Sequence, residues 1–349
     1  KGYGDNGKYI AEEIIKQNLN YDIVWLLKGK LIGKVSFPNK IRIVKYGSLK
    51  CLYELATSKI WIDNCRKVFY PIKRKSQYYI QTWHGNLGIK KIEKDAEDVL
   101  SKSYINIAKS DSKMADLFIS NGKYISNLYE NSFWYNGEIL ESGSPRNDIM
   151  FDNNNLLNKK VRDYFKINYD IKIALYAPTF RKTESTRVYD LDYLSCISAL
   201  NKRFGGRWII LVRLHPNISD KASEIKYNDN IYNASLYDDM QELLAISNLL
   251  ITDYSSSMFD FALKKNPCFL YTPDVNEYMN DRSFYFKLDE LPFPIVENNI
   301  DLIEKILNFN EDIYLENLNE FFCLQDVIED GLASKRVVER IKKVSNVYS

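Results

Sequence analysis

His84 and His215 are the only two histidines in the 349-residue chain, and each stands where an apolar, β-type run gives way to a loop. His84 follows Tyr78-Tyr79-Ile80-Gln81-Thr82-Trp83 and precedes Gly85; His215 follows Trp208-Ile209-Ile210-Leu211-Val212-Arg213-Leu214 and precedes Pro216. Imidazole changes charge near neutral pH, which suits it to moving a proton there. The loops at the carboxyl edge of a parallel sheet are where α/β proteins assemble their sites. Gly85 would let a substrate come close to the His84 ring. A histidine bonded inside a core fits the same letters.

Further segments suggest the handling of anions. In Leu249-Leu250-Ile251-Thr252-Asp253-Tyr254-Ser255-Ser256 an apolar strand ends at Asp253 and a helix follows, with Ser255 or Ser256 as its N-cap. Unpaired N–H groups and the positive end of the helix dipole bind phosphate readily. Asp260, one to two turns further on, would accept hydrogen bonds from ribose hydroxyls. An acidic residue ahead of an ordinary Ser-capped helix is the plainer alternative. In Tyr176-Ala177-Pro178-Thr179-Phe180-Arg181, Pro178 cannot continue a central strand, so the chain turns and presents Thr179 and Arg181. A guanidinium fork matches phosphate oxygens, and a threonine hydroxyl adds a neutral donor.

Alternation along the strand puts Arg213 and His215 on one side. Arg146 and Asp148, in the turn-rich Gly143-Ser144-Pro145-Arg146-Asn147-Asp148, would either pair or bridge two domains, and a structural role is favoured. Each segment alone reads equally as a packed strand end. Together, strand ends in both halves carry His, Arg, Thr, Ser and Asp, the set that would hold a nucleoside diphosphate in a cleft. The chain has no GxxxxGK[ST] loop and no GxGxxG after a first strand, which argues against a P-loop ATPase and the usual dinucleotide fold.

Positioning these residues requires alternating strands and helices. The length favours two domains. Strands are predicted over 21–27, 60–63, 78–83, 104–108 and 138–141, with helices over 7–17, 48–58 and 112–121, the last closed by Gly122. Asp152-Asn153-Asn154-Asn155 is the linker candidate. Beyond it come strands over 171–177, 208–214, 249–252 and 268–271, with helices over 191–203 and 240–246. The reading is two α/β domains with a cleft between them.

The hydrophobic fraction of 45% and charged fraction of 27% suit an ordinary globular protein. No apolar run reaches the roughly 20 residues that span a bilayer, and no signal-peptide pattern opens the chain. The start at Lys1, without Met, suits a piece of a longer protein. Five scattered cysteines with no CxxC pair point to neither a zinc site nor a disulfide framework, and a reducing cytoplasm fits best. Residues 1–150 carry 24 Lys/Arg against 16 Asp/Glu, and the remainder 24 against 30. Most of the basic excess precedes residue 76, which favours a polyanion or an anionic membrane surface as neighbour; a solvated lysine-rich face fits as well.

In this order the segments resemble the CDP-glycerol glycerophosphotransferase family, the polymerases and primases of teichoic acids and related capsule polymers. The resemblance is carried by Gly2-Tyr3-Gly4-Asp5-Asn6, Trp61-Ile62-Asp63-Asn64, Gln81-Thr82-Trp83-His84-Gly85, Gly143 to Asp148, Tyr176 to Arg181, Arg213-Leu214-His215-Pro216, Asp253-Tyr254-Ser255-Ser256 and Asp330-Gly331-Leu332-Ala333-Ser334-Lys335-Arg336. One departure is Asn86-Leu87-Gly88-Ile89-Lys90-Lys91 after Gly85, where the family often has Thr-Pro-Leu-Lys.

The resemblance implies a GT-B architecture, two Rossmann-like domains with parallel sheets facing a central cleft. Residues 1–152 would bind the acceptor and 153–349 the CDP nucleotide, with a last helix able to cross back to the first domain. It implies transfer of glycerol phosphate or ribitol phosphate from CDP-glycerol or CDP-ribitol to a hydroxyl of an anionic lipid-linked polymer, releasing CMP. His84 would take the acceptor's proton. His215, Arg213, Thr179, Arg181, Ser255 and Ser256 would hold the diphosphate, and Asp253 or Asp260 the ribose, with Gly85 and Arg146 completing the substrate contacts. No cofactor is required and a divalent metal is left open. The place implied is the cytoplasm, peripheral to the inner face of the bacterial membrane, with no nucleic-acid partner. The rival reading is a GT-B glycosyltransferase using a nucleotide sugar.

Overall fold

The computed structural model describes residues 2–67, 72–85, 87–152, 155–181, 189–214, 225, 227–279 and 283–347. The chain divides into two compact units: Lys1–Asn86, Ile92–Phe151 and Gln325–Ser349 form the first, Leu87–Lys91 and Asp152–Leu324 the second. Both have parallel sheets, the α/β class that the alternating pattern predicts.

In chain order the first unit contains α1 (Asp5–Lys16), β1 (Ile23–Leu27), β2 (Ile41–Lys45), α2 (Leu49–Thr57), β3 (Ile60–Asp63), β4 (Tyr78–Gln81), α3 (Lys102–Met114), β5 (Leu117–Ser120), α4 (Lys123–Ser132) and β6 (Glu138–Glu141). Strands β3-β4-β5-β6 form one parallel sheet and β1-β2 a parallel pair. β4 and β5 are buried along their whole length, as befits central strands of a covered parallel sheet.

Side-chain alternation sorts their residues between the two faces of the sheet. Tyr78, Ile80, Leu117 and Ile119 pack against Ile10 and Ile14 of α1. On the other face Phe118 joins Trp83, Tyr129 and Phe133, and Tyr79 joins Trp61, Cys51 and Leu55.

The second unit contains α5 (Asn155–Phe165), β7 (Ile171–Tyr176), α6 (Tyr193–Phe204), β8 (Arg207–Val212), β9 (Ile231–Asn233), α7 (Met240–Ile246), β10 (Leu249–Thr252), α8 (Ser257–Ala262), β11 (Cys268–Tyr271), α9 (Val275–Met279), β12 (Ile295–Val296), α10 (Asn299–Leu307) and α11 (Glu311–Leu324). Its six strands run parallel in the order β12-β11-β10-β7-β8-β9. That is the doubly wound Rossmann order, whose direction of winding reverses between the first and fourth strands, here β7 and β10.

The chain then returns to the first unit as α12 (Ala333–Val347). Val337, Val338, Ile341 and Val344 complete the core begun by Ile10 and Ile14, each fully buried side chain contributing about 1.5–3 kcal/mol. The approach to α12 is close. Gly122 has φ 149°, a backbone that L side chains rarely adopt, and a Cβ on it would strike the Asp326 carbonyl. Ile328 N donates to Asn121 O at 2.7 Å beside it.

Two elements differ from the sequence reading. Residues 104–108, predicted as a strand, lie in α3, capped by the Ser101 hydroxyl on Tyr104 N. Residues 112–121, predicted as a helix, comprise the end of α3 and then β5, so Gly122 precedes α4 and does not close a helix. The β-branched content of Tyr104-Ile105-Asn106-Ile107 misleads. Ile105, Ala108, Asp111 and Ser112 are buried at helical spacing, and tertiary burial overrides local propensity.

Candidate active site

In the first unit β4 ends at Gln81, and the chain turns through Trp83, whose φ of 52° is left-handed. The turn carries His84, whose Nδ1 lies 2.6 Å from the carbonyl oxygen of Asn64. A carbonyl only accepts, so Nδ1 carries the proton, and in the neutral ring Nε2 holds the lone pair. Cys65 Sγ is 3.8 Å from the same Nδ1. The Trp83 ring stands 4.4 Å from the imidazole and meets Phe133 edge-on at 4.9 Å.

Beneath this turn lies a buried ionic cluster. Arg66 pairs with Glu93 at 2.9 Å and Asp111 at 3.2 Å, and its guanidinium lies 5.3 Å from the Trp83 ring centre. Burial works against the Arg66 charge, yet Glu93 and Asp111 hold it above its ordinary value. Gln81 Nε2 bonds the same Asp111 at 3.3 Å, while Gln81 Oε1 accepts from Trp83 N at 2.9 Å.

Gly143 to Asp148 does structural work. Asp148 accepts from Ala333 N and Ser334 N at 2.9 and 2.7 Å, capping α12, and desolvation raises its carboxyl above the usual range. Arg146 pairs with Asp5 at 3.5 Å and donates to His84 O at 2.7 Å.

In the second unit the loops after β7 and β10 meet at the point where the winding reverses. Thr179 N and Oγ1 both donate to the Asp253 carboxylate at 3.0 Å. Arg181 Nη2 lies 2.7 Å from Asp253, and Arg181 Nε donates to Asp274 at 2.5 Å. Tyr254 OH reaches Asp274 at 3.3 Å, its ring stacks on Tyr278 at 3.9 Å, and Arg181 lies 4.6 Å from the Tyr278 centre. Burial opposes the Arg181 charge, but Asp253 and Asp274 hold the guanidinium well above its ordinary value.

Thr179, Arg181 and Asp253 are therefore brought together, as braces on one another. Arg181 and Asp253 are buried at 5% and 0% exposure, and their polar atoms are spent internally. Asp253, expected at a ribose, instead closes this brace. Asp260, the other ribose candidate, is buried inside α8 and accepts from Gln241 Nε2 at 3.3 Å, because its helix turns that face to α7.

Ser255 and Ser256 are half-exposed at the same carboxyl edge. Ser255 Oγ accepts from Ser257 N at 3.3 Å, while Ser256 stands at the N-cap without a side-chain cap bond. Arg213 lies just past β8 and donates to the carbonyls of Ala234, Tyr237 and Asp238, and burial lowers its basicity. Gly85 is half-exposed beside His84, and His215 lies outside the described residues. Among the described residues no group of three or more His, Cys, Asp or Glu could hold a metal ion.

Sequence reasoning quoted Asn6 and Asn64 within the segments that carry the resemblance but gave them no role, and it did not name Asp274. Asp274 carries the same strand-end signal as Asp253, three residues beyond β11. Asn64 offers only its backbone carbonyl, which no residue type announces.

A family model described as CDP-Glycerol:Poly(glycerophosphate) glycerophosphotransferase matches residues 1–343. A teichoic acid poly(glycerol phosphate) polymerase of Bacillus spizizenii is 32% identical, over 96% of this chain and 86% of that protein. One of Staphylococcus epidermidis is 31% identical over 98% of this chain, which spans about half (49%) of that longer relative. A variant of the wall teichoic acid polymerase TagF, soaked with CDPG, superposes with a TM-score of 0.87 at 29% identity, covering 100% of this chain and 88% of that one. The chain belongs to the CDP-glycerol:poly(glycerophosphate) glycerophosphotransferase family.

Proposed function

We propose that the chain transfers glycerol phosphate from CDP-glycerol, or ribitol phosphate from CDP-ribitol, to a hydroxyl of a lipid-linked, teichoic-acid-like polymer. The acceptor oxygen attacks the alditol-bearing phosphorus, the anhydride bond to CMP breaks, and CMP leaves. The observation that carries this reading is the His84 Nδ1 to Asn64 O bond of 2.6 Å, which leaves Nε2 as the atom that takes the acceptor's proton. Positioning and charge neutralisation dominate such phosphoryl transfers. On the donor side, Ser255, Ser256, Arg213 and His215 hold the diphosphate, while the Thr179–Arg181–Asp253–Asp274 brace fixes the loop after β10 that presents the two serines. Family membership and the Rossmann strand order of the second unit support a nucleotide donor.

The acceptor's lipid anchor implies work at a membrane face. Among the described residues no helix is long and apolar enough to cross a membrane. The first unit instead exposes apolar side chains on and before α2, with Leu49 at 86% and Tyr53 at 65% exposure, alongside Lys28, Lys30, Lys34, Lys45 and Lys50. Exposed apolar residues among cations suit an anionic lipid surface on the cytoplasmic side.

The test is to incubate the protein with CDP-glycerol, CDP-ribitol and a nucleotide sugar in parallel, with a lipid-linked acceptor, with and without chelator, and weigh the products. An alditol phosphate increment with CMP release supports the reading. A hexose increment replaces it with the glycosyltransferase alternative, and normal CMP release by His84→Ala removes His84 as the base.

A further inference from the structure

Three successive backbone carbonyls around the His84 turn are gripped by two buried side chains from distant parts of the chain. Asn6 Nδ2 donates to Thr82 O at 3.3 Å and to Trp83 O at 3.1 Å. Arg146 Nη1 donates to His84 O at 2.7 Å. The two grips are joined, because Arg146 N donates to Asn6 Oδ1 at 3.1 Å, and Arg146 also pairs with Asp5 at 3.5 Å. Asn6 is 1% and Arg146 6% exposed. We propose that Asn6 and Arg146 are positioning residues which set the tautomer and direction of the His84 ring through the backbone of residues 82–84, without touching substrate.

The argument is conformational. Trp83 occupies a left-handed φ of 52° that a residue with a Cβ adopts only when its surroundings hold it there. The turn leaves carbonyls that the β4 ladder does not engage, and buried carbonyls need donors. Asn6 supplies two N–H groups from one amide, and Arg146 supplies the next. Held this way, His84 Nδ1 meets the Asn64 carbonyl and must carry the proton. If the turn relaxes, Nδ1 loses that acceptor. The ring then reverts toward the Nε2–H tautomer that a free neutral imidazole favours, and the nitrogen that should accept a proton already has one. Asn6 and Arg146 would therefore influence which ring nitrogen is basic without contacting the ring.

This inference rests on the reading of His84 as the base, yet its test does not depend on activity alone. The chain holds two histidines, so a 15N-histidine correlation spectrum above neutral pH resolves both rings, with His84→Asn assigning the signals. In the wild type we expect His84 as the Nδ1–H tautomer. In Asn6→Asp, which keeps the shape but loses both donors, and in Arg146→Lys, which keeps the charge but loses the fork, the Nε2–H form should appear. kcat should fall roughly 10- to 100-fold, as expected for a misplaced catalytic group, with KM for CDP-glycerol within about two-fold of wild type.

Should either variant fail to fold, Asp5→Asn loosens Arg146 from a partly exposed position and should move the tautomer ratio the same way. The proposal is overturned if folded variants keep the wild-type tautomer, or if kcat and melting temperature fall together with the tautomer unchanged. If His84→Ala retains its rate, the base assignment fails, while the tautomer shift still reports on Asn6 and Arg146.

Discussion

Arg181 and Asp253 form an ion pair of 2.7 Å, almost completely buried, between the loops that follow β7 and β10. Removing one partner of such a pair strands the other charge, at a cost of about 3–5 kcal/mol. Arg181→Ala and Asp253→Asn are therefore expected to lower the melting temperature of the second unit sharply. A direct phosphate contact would behave differently: Arg181→Lys would keep the melting temperature and raise KM for the donor alone. Thermal denaturation run beside donor kinetics separates the two roles.

His84 should be needed for chemistry and dispensable for donor binding. Loss of a general base typically costs 10²- to 10⁴-fold, so His84→Gln should lose about that factor in CMP release. Its CDP-induced thermal shift should stay at the wild-type value. A variant that loses the shift together with the rate would assign His84 to binding.

Gly122→Ala should destabilise the first unit. Its φ of 149° strains any L residue, and the new Cβ meets the Asp326 backbone, which cannot swing aside. We expect a loss of about 1–3 kcal/mol by urea denaturation, with faster proteolysis around residues 325–332.

Asp148 caps α12, and replacing such a cap with Ala costs about 0.5–2 kcal/mol. Desolvation raises its folded carboxyl above the ordinary value of 3.8. Between those two values the folded chain holds a proton that the unfolded chain has released, so protonation favours folding there. The stability difference between wild type and Asp148→Asn should therefore grow in favour of wild type as pH falls through that window. It should level off below 3.8. Denaturation curves of both proteins across the acid range test the sign.

Leu49→Glu with Tyr53→Glu should weaken binding to vesicles containing anionic lipid and leave the melting temperature unchanged, because both side chains face solvent. Added salt should weaken wild-type binding as well, since each nearby lysine contributes about 1 kcal/mol of screened attraction. Equal binding by the double variant would move the membrane face elsewhere.

The short parallel strands were the most legible part of the sequence. β3, β6, β10 and β11 are read at their observed limits, because short apolar runs between polar turns have few other solutions. The strand-end logic also located His84, Arg181 and Asp253. It did not reveal what those side chains do, because burial converts a potential ligand into a brace. Asp253 and Asp260 carry the letters of a ribose site, and their surroundings engage them internally. Asn6 could not be assigned from local pattern: its partners Thr82, Trp83 and Arg146 are 76 to 140 positions away, and only the folded backbone brings them together.

α12 also sets an order of events during synthesis. The first unit's core joins Ile10 and Ile14 to Val337, Val338, Ile341 and Val344. At about 5–20 residues per second, a ribosome needs on the order of tens of seconds to travel from one set to the other. For that interval the apolar face of β4 and β5 lacks its C-terminal cover, while residues 152–324 are being made. Of the two units, the one whose strands are made first is thus the one that finishes folding last, and the growing chain is most open to chaperones and proteases along that uncovered strand face.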